Sequence, residues 1–146
     1  MMAHARVLTE RDGWILPLAG LPVTRCIVDY AFSLHFWTSS EADYTVRIGG
    51  PFVLQAYNQV LNLSARNGAV SLGPALRLFG QTLESAVVAK NGELTLRFGD
   101  RSAIVVPPES AYEAWEVAGP SGLLVVCQAG GKLAIWQPKD GEPSAS

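Results

Sequence analysis

Leu83-Glu84-Ser85-Ala86-Val87-Val88-Ala89-Lys90-Asn91-Gly92-Glu93-Leu94-Thr95-Leu96-Arg97-Phe98 decides the fold. Two β-forming runs flank an Asn-Gly pair, whose tolerance of positive φ suits a type I′ hairpin turn. Leu94, Leu96 and Phe98 alternate with Thr95 and Arg97, the period of a strand with one buried face. Downstream, Gly99-Asp100 reverses the chain into a third run at 102–106. Pro107-Pro108 ends it, because proline has no N–H for the ladder.

Working outward, the same alternation recurs. Val23-Thr24-Arg25-Cys26-Ile27-Val28 is rich in β-branched residues, and Leu34 and Phe36 alternate with Ser33 and His35 as far as Trp37. Tyr44-Thr45-Val46-Arg47-Ile48 alternates again before Gly49-Gly50-Pro51, and residues 52–54 and 60–63 read as extended. Beyond the prolines lie runs at 112–117, 123–127 and 133–136, separated by Gly119-Pro120-Ser121-Gly122 and Gly130-Gly131. Residues 71–79 alone read as a short helix, with Pro74 in its first turn, Leu72, Leu76 and Phe79 on one stripe, and Gly80 to stop it. The expectation is eight to ten strands, antiparallel because the connections are too short for parallel crossovers.

The chain also repeats itself. Leu18-Ala19-Gly20-Leu21-Pro22-Val23 lies over Leu78-Phe79-Gly80-Gln81-Thr82-Leu83 at a spacing of 60, and Ile27-Val28 falls on Val87-Val88. Two extra residues at Asn91-Gly92 shift the frame to 62, and Leu34-His35-Phe36 then meets Leu96-Arg97-Phe98. The predicted fold is therefore mainly β: an antiparallel β-sandwich or partly open barrel of two pseudo-repeated meanders with one short helix. Residues 1–13 read as a flexible N-terminal segment, 14–137 as a single β-rich domain and 138–146 as a flexible tail.

Composition narrows the function classes. Of 146 residues, 49% are apolar and 16% charged, against about 25% charged in an average soluble domain. Thirteen acidic and eleven basic residues give a net charge of −2, which leaves no basic surplus for nucleic acid or a membrane surface. Two cysteines and two histidines, with no CxxC or HExxH spacing, point to no metal and no cofactor. Cys26 and Cys127 sit among aliphatics and read as buried free thiols, with a disulfide between them left open. The start lacks a signal-type apolar run and no apolar stretch approaches 18 residues, so the expected location is cytoplasmic.

Catalytic groupings are hard to assemble. Ser33 and His35 with Asp29 cannot form a triad on one strand, since side chains two apart point in parallel. A Cys127–His35 dyad pairs a residue expected to be buried with one expected to be exposed. The glycine-rich stretches match no phosphate loop and read as tight turns.

The densest polar and aromatic cluster is Glu109, Tyr112, Glu113, Trp115 and Glu116. On a strand, Tyr112, Ala114 and Glu116 would share one face, and Glu113 and Trp115 the other. Tyr112-Glu113-Ala114-Trp115, Gly119-Pro120, Val126-Cys127 and Gly130-Gly131-Lys132-Leu133-Ala134-Ile135-Trp136 together resemble a family of short actinobacterial proteins classed only as a domain of unknown function. Val28-Asp29-Tyr30 and Gly50-Pro51-Phe52 fit the same pattern, which spans roughly residues 16–137. Gln128-Ala129 stands where that family tends to have a proline before the glycines, a change of turn and not of chemistry. The resemblance implies no activity, ligand or catalytic residue.

The resulting expectation is a non-enzymatic protein-interaction module, of the immunity or accessory kind. Its candidate contact residues are Tyr112, Glu113, Trp115, Glu116 and Trp136, with aromatic anchors favoured at such surfaces. The alternative is a small-ligand-binding protein or enzyme whose pocket is lined by Tyr112, Trp115 and Trp136. A protein partner is expected, with no nucleic acid and no membrane, and an edge strand leaves room for a homodimer.

Overall fold

The computed structural model describes residues 6–138, and the expectations for residues 1–5 and 139–146 lie outside them. Thirteen strands follow in chain order: β1 (Leu8–Glu10), β2 (Gly13–Ile15), β3 (Arg25–Val28), β4 (Phe32–Trp37), β5 (Asp43–Ile48), β6 (Phe52–Ala56), β7 (Gln59–Leu63), β8 (Leu83–Ala89), β9 (Leu94–Phe98), β10 (Ala103–Val106), β11 (Trp115–Ala118), β12 (Leu124–Cys127) and β13 (Leu133–Trp136). They form two antiparallel sheets, one in the order β1-β2-β8-β9-β10-β6-β7 and the other β13-β12-β11-β5-β4-β3. The architecture is sandwich-like, and neither sheet closes into a barrel. Each sheet turns its apolar face to the other. Phe32, Leu34, Phe36, Val46, Ile48, Trp115, Val117 and Val125 meet Leu54, Leu83, Leu94, Leu96, Phe98, Ile104 and Val106 in one core. Each such side chain contributes about 1.5–3 kcal/mol by leaving water.

The two meanders anticipated from the repeat are β3-β4-β5 and β8-β9-β10, one in each sheet. After each meander the chain crosses over. β6 and β7 follow β5 but add to β10, while β11 and β12 follow β10 but add to β5. Only Gly49-Gly50-Pro51 separates β5 from β6, so that crossing is a bend within three residues. The Leu-x-Gly repeats meet at an antiparallel bridge between Pro22 and Thr82. Around it the main-chain bonds come in reciprocal pairs at the spacing of 60. Gly20 N–H donates to Leu83 and Gly80 N–H to Val23; Val23 N–H donates to Gln81 and Leu83 N–H to Leu21; Leu21 N–H donates to Leu18 and Gln81 N–H to Leu78. A local two-fold relation thus joins the halves.

Three sequence expectations change. The helix at 71–79 is a 3₁₀ segment, Ala69–Leu78, with shorter 3₁₀ turns at Ala65–Asn67 and Pro120–Gly122. Three residues per turn bring Leu72, Ala75 and Leu78 onto the buried side and leave Leu76 and Phe79 exposed, so an α-helical stripe does not apply. The 89–93 reversal holds only Gly92 at positive φ (+96°). Asn91 instead accepts from Glu93 N–H, which makes this a type I turn with a glycine bulge and not type I′. Lastly, the segment read as flexible up to residue 13 holds β1 and the first residue of β2. β1 and β2 form a hairpin on β8, with Trp14 packed against the core, and Val7 N–H donates to the Gln137 side chain.

Gly92 and Gly131 approach backbone to backbone. A Cβ on Gly92 would lie 2.4 Å from the Gly131 carbonyl oxygen, and one on Gly131 would lie 2.1 Å from that of Asn91. Gly68 has a similar φ (+95°) and open space around it. Gly92→Ala should therefore cost about 2–4 kcal/mol, strain plus displaced backbone, whereas Gly68→Ala should cost about 1 kcal/mol from φ alone. Urea unfolding of the two variants checks the difference.

Candidate functional site

Trp115 is 1% exposed and faces the opposite sheet. Its indole N–H donates to the Gly92 carbonyl at 2.9 Å, and the Cys127 thiol approaches the same oxygen at 3.5 Å. Ala114, just before it, accepts from both Gly49 and Gly50 N–H. Tyr112 lies against Gly50 with the Arg66 guanidinium 4.2 Å above its ring, and Gly130 N–H donates to Glu109. Trp115 starts β11, while Tyr112 to Ala114 fall in the loop before it, so the alternation expected over 112–117 holds only from Trp115 onward. Residues 109–115 thus form a junction where the 89–93 turn, the Gly130-Gly131 turn and the bend at Gly49-Gly50 meet.

Glu113, Trp115 and Glu116 border a cleft of about 50 Å³ with Arg47 and Gly49, and Glu116 stands directly opposite Arg47 across β11 and β5. Trp136 is elsewhere. In the register Trp136 pairs with Leu124 and Leu124 with Ala118, three residues along β11 from Trp115. Strand alternation puts Trp115 on the inner face and Trp136 on the outer one. The sheet therefore stands between the two tryptophans expected to share a pocket with Tyr112. A larger open hollow, about 460 Å³, is bounded by Arg6, Leu8, Ile15, Leu16, Pro17 and Ala19, around the β1-β2 hairpin.

The outer face of the six-stranded sheet carries a feature that sequence reading missed. One row across it runs Trp136, Leu124, Ala118, Thr45, His35 and Arg25, and Trp37 stands beside His35 on β4. Trp136 is 54% exposed and Trp37 46%. Four strand spacings separate them, about 19 Å. Between them the floor is made by Leu124, Ala118 and Thr45. The next row holds Val126, Glu116, Arg47 and Ser33, so a charged strip borders the apolar one. The signal in the sequence was parity: Trp37 shares the odd-numbered face of β4 with Ser33 and His35, an aromatic on the polar side.

His35, expected to be exposed, is only 7% exposed, because the Trp37 ring stacks on it at 4.4 Å and 24°. Among the described residues its Nδ1 has no hydrogen-bond partner. Burial lowers its pKa, the facing Arg25 lowers it further, and Asp43 partly opposes both. Burial also raises the pKa of the free thiols Cys26 and Cys127, which keeps them protonated. Among the described residues no cluster of three His, Cys, Asp or Glu could hold a metal, and no helix is long and apolar enough to cross a membrane.

The fold and this face define a class: a two-sheet antiparallel β protein with an aromatic-flanked outer surface. By sequence, residues 14–137 match the "Family of unknown function (DUF6188)", and the chain belongs to that family. No curated protein and no solved structure gives a significant match.

Two outcomes follow from these contacts. Trp115→Phe removes the N–H donor of the Gly92 carbonyl and shrinks a fully buried ring, a loss of about 2–4 kcal/mol in thermal or urea unfolding. For His35, the unfolded chain binds a proton near pH 6.5 that the folded chain resists. Stability therefore falls as pH drops through about 6.5 toward the lower folded pKa. His35→Gln should flatten that decline in urea midpoints measured from pH 7.5 to 5.

Proposed function

We propose that the protein is a non-enzymatic interaction module that binds a protein partner through the outer face of its six-stranded sheet. The observation that carries this is the pair Trp37 and Trp136, both about half exposed, flanking a floor of short side chains. Half-exposed tryptophans present large apolar area with little rotamer freedom to lose, and such residues dominate binding energy at interfaces. Glu116 and Arg47 beside the row supply a polar border that orients a partner without adding much affinity. Of the residues singled out from sequence, Trp136 and Glu116 belong to this surface, while Tyr112, Glu113 and Trp115 belong to the junction. An accessory or immunity role in the cytoplasm is the form of module we favour, in keeping with two free, protonated thiols.

Affinity purification of the tagged protein from its native cells tests this reading. Wild type and a Tyr112→Ala control should retain the same co-purifying protein. A Trp37→Ala/Trp136→Ala double variant, folded by circular dichroism, should lose it at least tenfold, since each anchor is worth about 2 kcal/mol. Equal recovery by the double variant would refute it.

A further inference from the structure

A two-sheet fold has four edges, and three are guarded. β1 has only three residues and ends in Glu10, with Arg11 and Asp12 in the turn after it. β13 is flanked by Lys132 before it and by Pro138 two residues beyond its end, and β3 begins with Arg25 and packs beside the 3₁₀ segment Ala69–Leu78. β7 is different. It is five residues long, Gln59-Val60-Leu61-Asn62-Leu63, with no charge and no proline, and it ends the seven-stranded sheet. Its Val60 is 66% exposed. In fact no charged residue occurs between Arg47 and Arg66, in a chain where 16% of residues are charged. Proteins that stay monomeric protect such edges with charge, proline, shortness or cover.

The main-chain pattern says what the edge accepts. Tyr57 and Asn58 both have positive φ (50° and 65°), so β6 and β7 are joined by a two-residue turn closed by the bonded pair Ala56 and Gln59. Antiparallel alternation then bonds Leu54 with Leu61 and Phe52 with Leu63. The N–H and C=O groups of Val60 and Asn62 are left pointing away from the sheet. The Arg77 guanidinium, 4.7 Å over the Tyr57 ring, braces the hairpin tip.

We infer that β7 pairs antiparallel with β7 of a second copy of this chain, about a two-fold axis through Leu61. That register places Val60 opposite Asn62 of the other copy at both ends. The eight outward groups of the two copies exchange four hydrogen bonds, and Leu61 meets its own counterpart on the core side. The edge is complementary to itself. Although both copies carry a net charge of −2, no charge on β6 or β7 opposes another across the seam. Two seven-stranded sheets become one continuous sheet, and the tryptophan-flanked face of the other sheet stays free in both copies. The inference is thus independent of the proposed partner surface.

Sedimentation equilibrium of the full chain from about 1 to 300 µM reads it out, with self-association expected at about 10–100 µM for so small a seam. Val60→Lys places like charges beside the seam, and Asn62→Pro removes one outward N–H at an edge where proline is tolerated. Each should weaken association at least tenfold with circular dichroism and melting temperature unchanged, while Trp37→Ala/Trp136→Ala should leave it intact. The register has its own readout. An equimolar mixture of Val60→Cys and Asn62→Cys chains should form a disulfide-linked dimer on mild oxidation that neither forms alone. A wild type that stays monomeric at 300 µM, a dimer indifferent to both edge variants, or no selective cross-link in the mixture would overturn the inference.

Discussion

The hydrogen bond from the Trp115 indole to the Gly92 carbonyl joins the tip of a hairpin in one sheet to the first residue of a strand in the other. It has to exist because the hairpin tip is tucked under Gly131, which brings a main-chain carbonyl into the apolar core, where an unpaired acceptor costs about 1–3 kcal/mol. Three remote features are consequently interdependent: the glycine at 92, the glycine at 131 and the indole at 115. A side chain on either glycine would push the turns apart, and a phenyl ring at 115 would leave the carbonyl only the weak Cys127 thiol donor. The bend at Gly49-Gly50 is held to the same place through Ala114. The fold closes around this point.

What could be read in advance follows from where the physics is local. β8 and β9 were legible to the residue because alternation over 83–98 concerns one hairpin with a turn signal between its arms. The repeated Leu-x-Gly pattern was legible for the same reason, and it marks the bridge at Pro22 and Thr82 where the halves meet. The 3₁₀ segment was misread because its period is set by how Leu72, Ala75 and Leu78 fit the open end of the core, which propensity does not encode. β1 and β2 were missed since three-residue strands carry too little alternation to stand out. Trp115 drew attention as a candidate ligand contact, yet what it contacts is a main-chain carbonyl 23 residues away in sequence. His35 was placed on the right face but given the wrong exposure, because the cover comes from Trp37 on the same strand.

Of the stretches that carry the resemblance, Tyr112 to Trp115, Cys127, Gly130-Gly131 and Gly50 meet at this junction, and the outward-facing aromatic row lies apart from them. Trp136 alone belongs to both the signature and the row. A motif of aromatics, glycines and glutamates therefore does not by itself announce a binding pocket. Here Tyr112 to Trp115 are part of the stitching by which two sheets share one core, and the tryptophan-flanked row is on the opposite face of the sheet.

The reciprocal bonds around Pro22 and Thr82, together with the crossed placement of β6-β7 and β11-β12, bear on how the chain encloses its core. Each meander is followed by strands that join the other sheet, β6 and β7 after β5 and β11 to β13 after β10, so neither half encloses a core by itself. A chain of half this length with the same wiring would have to complete its core with strands of a second copy. In the full chain the segment 64–82 makes that exchange internal, at a fixed and high effective concentration. The two crossings differ in length: a three-residue bend after β5, and after β10 a longer loop that carries Tyr112 and Glu113.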